Sequence, residues 1–354
     1  MKSVNRNHLI DTIKGIACIG VVLIHYNWSN DISIIIKTIS RFAVPFFFFV
    51  SGYYLPNSSK VITSDNFKRK IKHIFDLAVK SALVYAIFCI YWNSIMNSQW
   101  NLWTYTKSIF QPAGIVKFLL SSDPFVYAHF WYIIALLACY LILYLVRDKI
   151  KPVGYLIGFL VLIVCYSLFA EFNFLTGWKN YVPLTESATL VVSNMFIFRA
   201  MPFLLWGVYL KKSTIAEWKQ KPNLLLLLAI AVLGCVLVVF EERHFGTILM
   251  YVGTHITVLA LSLASVWYPD KKIGILEYIG DKLSMYVYIY HIAVGKMWDL
   301  IAAKFRLWGN PTINIIRPLL ILAGSLLFAQ ILVSFQKWSR ESKKVSLQDK
   351  GVRK

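Results

Sequence analysis

The first long apolar run of the sequence, "DTIKGIACIGVVLIHYNW" at residues 11–28, carries Asp11, Lys14 and His25. Lys14 and His25 share one helix face and lie about 16 Å apart along the axis. Asp11 is one turn from Lys14 and can pair with it as an i,i+3 neighbour. A charge in a lipid-facing helix costs roughly 2.5–3.5 kcal/mol, so this stripe predicts a functional face. The charged pair could hold a polar ligand, and the imidazole titrates near neutral pH.

Two alternatives apply to this stripe. Asp11 and Lys14 could snorkel to the inner membrane interface. A lone His25 could equally be a hydrogen-bonded histidine of a bundle interior.

Two arginines lie deep within later apolar runs. Arg41 precedes "VPFFFFVSG", where Pro45 should bend the helix and free backbone carbonyls. Arg199 occupies a similar depth, just before Met201 and Pro202. Both lie too deep to snorkel easily, so we expect them to serve a site rather than an interface.

Further polar candidates have equally good structural explanations. His129 opens "HFWYIIALLACY" beside Trp131 and Tyr132, where an interfacial role is the alternative to a site. Later in the chain, one helix face is expected to carry three polar residues, which suit either a seam between helices or a site: Ser284, Tyr288 and His291. His255 is interpreted as a core residue.

The composition predicts a polytopic membrane protein with an all-α fold. The chain has 354 residues, 58% hydrophobic, with a mean hydropathy of +0.60, far above soluble domains. We expect a single membrane domain at 1–336, a charged and loosely ordered tail at 337–354, and no cleaved signal peptide. The five cysteines are interpreted as packing residues, with neither a disulfide framework nor a metal site. About ten transmembrane helices are predicted, at 9–27, 32–55, 73–93, 129–146, 152–170, 191–210, 222–240, 247–267, 283–301 and 318–336.

The net charge of +20 is distributed unevenly between the two sides of the membrane. With the N-terminus inside, 24 of the 37 Lys and Arg residues fall in the inside segments and 7 in the outside connections. This bias predicts that both termini are cytoplasmic. The basic charge therefore indicates membrane topology and contact with anionic lipids rather than nucleic-acid binding.

The connection at 94–128 is the longest one and is predicted to face outside. Its Trp100, Trp103 and Tyr105 are typical of an interfacial belt, and 113–120 is predicted to form a short helix. Long connections of this kind often cover a site.

Together these stretches resemble acyltransferase family 3, the bacterial membrane O-acyltransferases of cell-surface glycans. The family has Arg or Lys, ten residues and then His in its first helix, which matches Lys14 and His25. Lys stands here where Arg is commoner. The other matching stretches are "SRFAVPFFFFVSGYYL" with Arg41 and Ser51, His-x-Trp-Tyr at His129, Trp131 and Tyr132, and Gly-x-x-Ser-x-x-x-Tyr-x-x-His at Gly280, Ser284, Tyr288 and His291.

The resemblance implies transfer of an acyl group, most often acetyl, from cytosolic acyl-coenzyme A to a hydroxyl of a lipid-linked or exported polysaccharide. It implies a multi-pass protein of the bacterial cytoplasmic membrane that contacts lipids and needs no metal. His25 would be the general base, and Arg41, or as a second choice Arg199, would stabilise the oxyanion. Asp11 and Lys14 would hold either the first helix or the polar parts of the donor. Many relatives carry a further esterase-like or racemase domain, and we expect this chain to have neither.

Two other classes of function remain open from the residues themselves. A transporter of a small solute or glycan would use the same intramembrane charges. A non-catalytic membrane partner or sensor would lose no acylation when His25 or Arg41 is replaced.

Overall fold

The structure is a computed structural model that describes residues 6–26, 28, 31–56, 61–96, 101–124, 127–186, 188–307 and 310–352. Trp100, one of the predicted belt aromatics, lies outside these residues. The helices are α1 His8–His25, α2 Asp31–Ile39, α3 Ala43–Tyr53, α4 Ser64–Met96, α5 Leu102–Ile109, α6 Pro112–Ser121, α7 Trp131–Val146, α8 Pro152–Phe169, α9 Asn173–Thr176, α10 Phe196–Arg199, α11 Met201–Lys212, α12 Leu224–Phe245, α13 Val252–Trp267, α14 Gly274–Tyr278, α15 Ser284–Lys304 and α16 Pro311–Val352.

The architecture is that of an all-α, multi-pass membrane protein. Within the described residues, seven helical segments are long and apolar enough to cross a membrane: His8–His25, Ser33–Tyr53, Ser64–Ile95, Ala128–Val146, Pro152–Ala170, Leu224–Phe245 and Pro311–Ser342. Each coincides with a predicted apolar segment. The remaining predicted segments, 191–210, 247–267 and 283–301, are largely helical but do not meet both criteria, so the predicted number of ten is not confirmed.

Helix breaks occur beside both intramembrane arginines. Arg41 lies in a 3-10 turn, Ser40–Phe42, between α2 and α3. Pro45 cannot donate a hydrogen bond to the Arg41 carbonyl four residues earlier, which explains the tightened turn. Arg199 ends α10, and Pro202 stands in the first turn of α11. The helix is therefore irregular just before Pro45, and the chain also changes from one helix to the next just before Pro202.

Some elements were predicted and others were not. The short helix expected at 113–120 is confirmed as α6. An antiparallel hairpin, β1 Tyr181–Thr185 with β2 Ala188–Val191, was not predicted, although its residues favour strands. The described part of the tail, 337–352, continues α16 as a helix.

The chain divides into two compact units. The central unit is built from Val44–Pro269, and the terminal unit from Asn7–Ala43 and the chain from Asp270 onward. In the central unit, α3 and α11 cross at van der Waals distance through Gly52 and Gly207. A β-carbon on Gly52 would overlap the carbonyl of Leu204, and one on Gly207 would overlap that of Phe49. Small residues at such crossings let membrane helices approach closely.

The terminal unit places α1 against the segment that contains α14 and α15. A β-carbon on Gly15 would overlap the Leu276 carbonyl, and one on Gly280 would overlap the Asp11 carbonyl. Gly280 lies in a π-helical turn, Ile279–Leu283, that joins α14 to α15. Single π turns inside helices recur at functional sites. This crossing fixes α1, and with it the polar stripe, relative to α15.

Candidate functional site

His25 and His291 meet at one end of α1. Their ring centroids are 5.2 Å apart, with the ring planes tilted by 43°. His25 is the last residue of α1 and is exposed, whereas His291 is fully buried within α15. Among the described residues, the His25 ring makes no hydrogen bond to protein, so both of its nitrogens can reach a substrate.

The backbone of α15 fixes the tautomer of His291. Its Nδ1 lies 2.9 Å from the carbonyl oxygens of Val287 and Tyr288. Because a carbonyl only accepts, Nδ1 carries the hydrogen in these contacts. The ring is held by its own helix and presents a fixed surface to His25.

Other side chains tie the same end of α1 to α15 and α16. The Tyr26 hydroxyl donates to the carbonyl of Ile292 at 3.2 Å. The Arg317 guanidinium lies 5.7 Å from the centroid of the Tyr26 ring and donates to Asp299 at 2.8 Å. The sequence analysis did not select Asp299 or Arg317. Both residues could have been selected from the sequence, because each is a charged residue inside or next to an apolar run.

The other end of the stripe contains the predicted ion pair. Lys14 Nζ lies 3.1 Å from Asp11 Oδ1, so the i,i+3 pairing is confirmed, and Asp11 is buried. Nearby, His8 contacts Glu277 at 2.6 Å, and the Ile273 amide donates to the Thr12 hydroxyl. The charged pair therefore lies beside the crossing of α1 with α14.

Arg41 belongs to the same unit but is not joined to His25. It is half-buried in its 3-10 turn, and among the described residues no hydrogen bond or ion pair links the two side chains. Lys37, on α2, does lie near enough to His25 to act on it electrostatically. Lys37 was not among the residues predicted from the sequence, although it is a charged residue inside an apolar run.

In the central unit, Arg199 is buried against an aromatic ring. Its guanidinium carbon lies 4.0 Å from the centroid of Trp131, and it donates to the Ser121 carbonyl at 2.8 Å. Its Nε has no hydrogen-bond partner among the described residues. Stacking and the single backbone bond fix the guanidinium plane while leaving a donor available.

The other predicted residues of the central unit pack around the start of α7. The Tyr132 hydroxyl lies 3.2 Å from the Ser51 hydroxyl, and Tyr140 donates to the Ser51 carbonyl. His129 is buried, with its ring 5.1 Å from that of Tyr85. These contacts make Ser51, Tyr132 and His129 part of a packed aromatic seam.

A buried pair of carboxyl groups also lies in the central unit. Glu171 follows α8, and Glu241 is in α12; both are buried. Glu171 accepts from the Val252 amide and Glu241 from the Gly253 amide, each at 3.0 Å, at the start of α13. Burial, and then the charge of the neighbouring Glu241, raises the pKa of Glu171 to about 8. The sequence analysis missed this pair, although both residues stand at the ends of apolar runs.

The structure thus sorts the predicted site residues into two groups. The terminal unit contains Asp11, Lys14, His25, Arg41, Ser284, Tyr288 and His291. Ser284 donates to the Gly280 carbonyl, and the Tyr288 ring lies 6.5 Å from that of His291. The central unit contains Ser51, His129, Trp131, Tyr132 and Arg199. The terminal group combines an accessible imidazole, which suits proton transfer, with a distant Asp–Lys pair that could hold polar groups of a ligand.

Comparison with known proteins identifies the family. The sequence model described as an acyltransferase domain matches residues 7–334. The serine/alanine racemase of Enterococcus gallinarum is 26% identical over 336 residues, which make up 90% of this chain and 45% of that protein. The chain thus spans less than half the length of this relative. No solved structure matches. Because the family match extends over nearly its whole length, the chain belongs to acyltransferase family 3.

Proposed function

We propose that this membrane acyltransferase moves an acyl group, most often acetyl, from cytosolic acyl-coenzyme A to a hydroxyl of a lipid-linked or exported polysaccharide. The single observation that carries the proposal is the pairing of His25 with His291 at the end of α1. The Asp11–Lys14 pair lies at the other end of the same helix. Acylation of a hydroxyl by a thioester requires a base, and the charged pair would hold the first helix or polar parts of the donor.

His25 acts as the general base in the proposed reaction. A hydroxyl is a weak nucleophile near neutral pH, so a base must take its proton as its oxygen attacks the thioester carbonyl. The carbon–sulfur bond of the tetrahedral intermediate then breaks. The thiolate leaves and takes the proton back from His25, which yields the ester and free coenzyme A. His291 is a positioning residue that packs against the His25 ring.

The tetrahedral intermediate carries an oxyanion that needs fixed donors in a site with little water. Arg41 is the first candidate because it belongs to the same unit as His25. Arg199 is the second candidate, since its guanidinium is fixed by Trp131 and retains a free Nε–H. Lys37 adds a cation near His25. None of these residues needs a metal ion for its role.

The proposed orientation follows from the charge distribution. The chain would cross the cytoplasmic membrane about ten times, with both termini in the cytosol, because 24 of its 37 Lys and Arg residues then lie inside. The Asp11–Lys14 pair would face the cytosol, where the donor is made. His25 would lie near the outer leaflet, where the acceptor is located.

The outer connection at 94–128 would select the acceptor. Trp103 on α5 is exposed, and Tyr105 on the same helix is half-buried. Exposed aromatic rings suit packing against sugar faces and membrane headgroups. The racemase activity in the name of the Enterococcus relative belongs to that longer protein.

The proposal is tested with purified protein in lipid nanodiscs supplied with radiolabelled acetyl-coenzyme A and a lipid-linked glycan extract. We expect thioester loss together with transfer of label to the glycan, and neither in empty nanodiscs. If the thioester is neither bound nor consumed, the proposal fails. Solute uptake into proteoliposomes in the absence of coenzyme A would instead support a transporter.

A further inference from the structure

A cavity of about 550 Å³ lies between the beginning of α15 and the end of the apolar part of α16, within the terminal unit. Its volume is in the range of small-molecule sites, which are typically about 300–1,000 Å³. Most of its polar lining comes from six side chains: Asp281, Lys282, Tyr286, Gln336, Lys337 and Arg340. None of these residues belongs to the site described above.

Two cations of this cavity form no ion pair within the part of the chain that the structure describes. Lys282 pairs with Asp281 at 2.9 Å. Lys337 and Arg340, by contrast, form no ion pair with any carboxylate among the described residues, although Glu341 also lines the cavity. The two side chains are i,i+3 neighbours on α16, so their positive charges lie close together. An anion bound between them would relieve this repulsion.

The polar groups of the cavity suit a phosphate. The Tyr286 hydroxyl donates to Gln336 Oε1 at 2.6 Å, which braces α15 against α16 and leaves the Gln336 amide nitrogen as a donor. Arg340 offers the planar fork that binds phosphate oxygens in pairs, and Lys337 adds a point charge.

The cavity lies next to the inner end of the polar stripe. Asp281 follows Gly280, whose α-carbon packs against the Asp11 carbonyl beside Lys14. From Gly280, eleven residues of helix lead to His291, about 16 Å along the axis. The cavity therefore lies at the same end of α15 as its crossing with α1, about 16 Å along the helix axis from His291.

We infer that this cavity binds the phosphates at the nucleotide end of the acyl-coenzyme A donor, an inference that rests on the proposed function. The donor carries a pyrophosphate and a ribose 3′-phosphate at one end and the thioester at the other. Its phosphates sit on Lys337 and Arg340, at the end of α15 that crosses α1 beside Asp11 and Lys14. The phosphates of anionic lipids have the same chemistry and are the competing source.

The test measures equilibrium binding of radiolabelled acetyl-coenzyme A to the full chain in nanodiscs of neutral phosphatidylcholine. The variant Lys337→Ala/Arg340→Ala should raise Kd by about tenfold or more, because two charge-assisted contacts are lost. The control Lys219→Ala/Lys271→Ala removes two exposed cations outside the cavity and should leave Kd unchanged. The swap Lys337→Arg/Arg340→Lys keeps both charges and should retain most of the affinity.

Two further binding measurements, one with a modified coenzyme A and one with added anionic lipid, separate the possible outcomes. Coenzyme A that lacks the 3′-phosphate should bind the wild type more weakly and show a smaller difference between wild type and the double alanine variant. Equal binding of acetyl-coenzyme A by wild type and that variant would overturn the inference and leave the proposed function intact. If the variant instead alters only competition by added phosphatidylglycerol, the cavity binds lipid and the inference is wrong. Absence of donor binding by the wild type would overturn both proposals.

Discussion

The rings of His25 and His291 lie 5.2 Å apart, one exposed at the end of α1 and the other buried within α15. This arrangement gives the accessible imidazole a rigid neighbour, because two carbonyls of α15 hold Nδ1 of His291. A general base works best when its orientation is fixed before the substrate arrives. The proposed catalysis depends on this pair and on the crossing of α1 with the segment that contains α14 and α15, which positions the pair.

The crossing of α1 with α14 should depend on Gly280. In the variant Gly280→Ala, the added methyl group would overlap the Asp11 carbonyl, so the backbones must separate. Overpacking of this kind destabilises by about 1–3 kcal/mol. We expect a lower apparent melting temperature in detergent. The control Gly274→Ala, in α14 with open space around the added carbon, should melt like the wild type. Equal melting of both variants would contradict the tight crossing.

Lys14 should act on donor binding rather than on chemistry. Lys14→Ala removes the cation that is paired with Asp11 at 3.1 Å. We expect KM for acetyl-coenzyme A to rise by about tenfold with kcat nearly unchanged, because a charge-assisted contact outside the reacting centre is lost. Lys14→Arg retains the charge and should restore most of the affinity. A fall in kcat with KM unchanged would instead assign Lys14 to the chemical step.

Arg199 should contribute to transition-state stabilisation. Removal of one oxyanion donor lowers kcat by about a hundredfold or more in other enzymes, and we expect a loss of this size for Arg199→Ala. Arg199→Lys keeps the charge but not the planar stack on Trp131, so it should fold and retain partial activity.

Arg147 provides the matched control, because its guanidinium similarly lies 4.4 Å from the centroid of the Tyr144 ring in the same unit. Arg147→Ala should change kcat by less than about twofold, and an equal effect of both alanine variants would contradict a specific role for Arg199.

The Glu171 carboxyl should make the stability of the protein depend on pH. Burial, and then the charge of Glu241, raises its pKa from the ordinary value of 4.5 to about 8. The folded state therefore binds more protons than the unfolded state over this interval, so stability falls as pH rises. The contribution of the Glu171 carboxyl to the free energy of unfolding is fully present below about pH 4.5. This contribution is lost as the pH rises through about 8.

This pH dependence is measured as the apparent melting temperature of wild type and Glu171→Gln between those two pH values. Glutamine stays neutral, so the melting temperature of the variant should fall less with rising pH than that of the wild type. At high pH the variant should therefore melt at a higher temperature than the wild type. Glu186→Gln, at an exposed position beyond β1, should behave like the wild type. Parallel curves for Glu171→Gln and wild type would show that the carboxyl stays ionised throughout.

Much of the fold follows from local physical rules. The apolar runs predict the helices, and the eleven-residue spacing of Lys14 and His25 predicts one stripe with the confirmed Asp11–Lys14 pair at its end. Prolines 45 and 202 mark the helix breaks at Arg41 and Arg199 because each removes one backbone donor. These features depend on residues that are near each other in the sequence.

Long-range partners could not be predicted in this way. His25 contacts His291, which is more than 260 residues away in the chain. The same separation applies to the helix crossing, where Gly15 packs against α14 and Gly280 packs against α1. The carboxyl pair of Glu171 and Glu241 depends on the amides at the start of α13. Periodicity identifies which face of a helix is polar, but not which other helix meets that face.

The most direct test of the account compares acetyl transfer by wild type, His25→Ala and His244→Ala in lipid nanodiscs. His244 is an exposed histidine near the end of α12, with its ring stacked on Phe240. Loss of a general base lowers the rate by about 10²–10⁴-fold. We expect such a loss for His25→Ala, with melting temperature and donor binding unchanged, and wild-type transfer for His244→Ala. Transfer by His25→Ala at the wild-type rate would contradict the central claim.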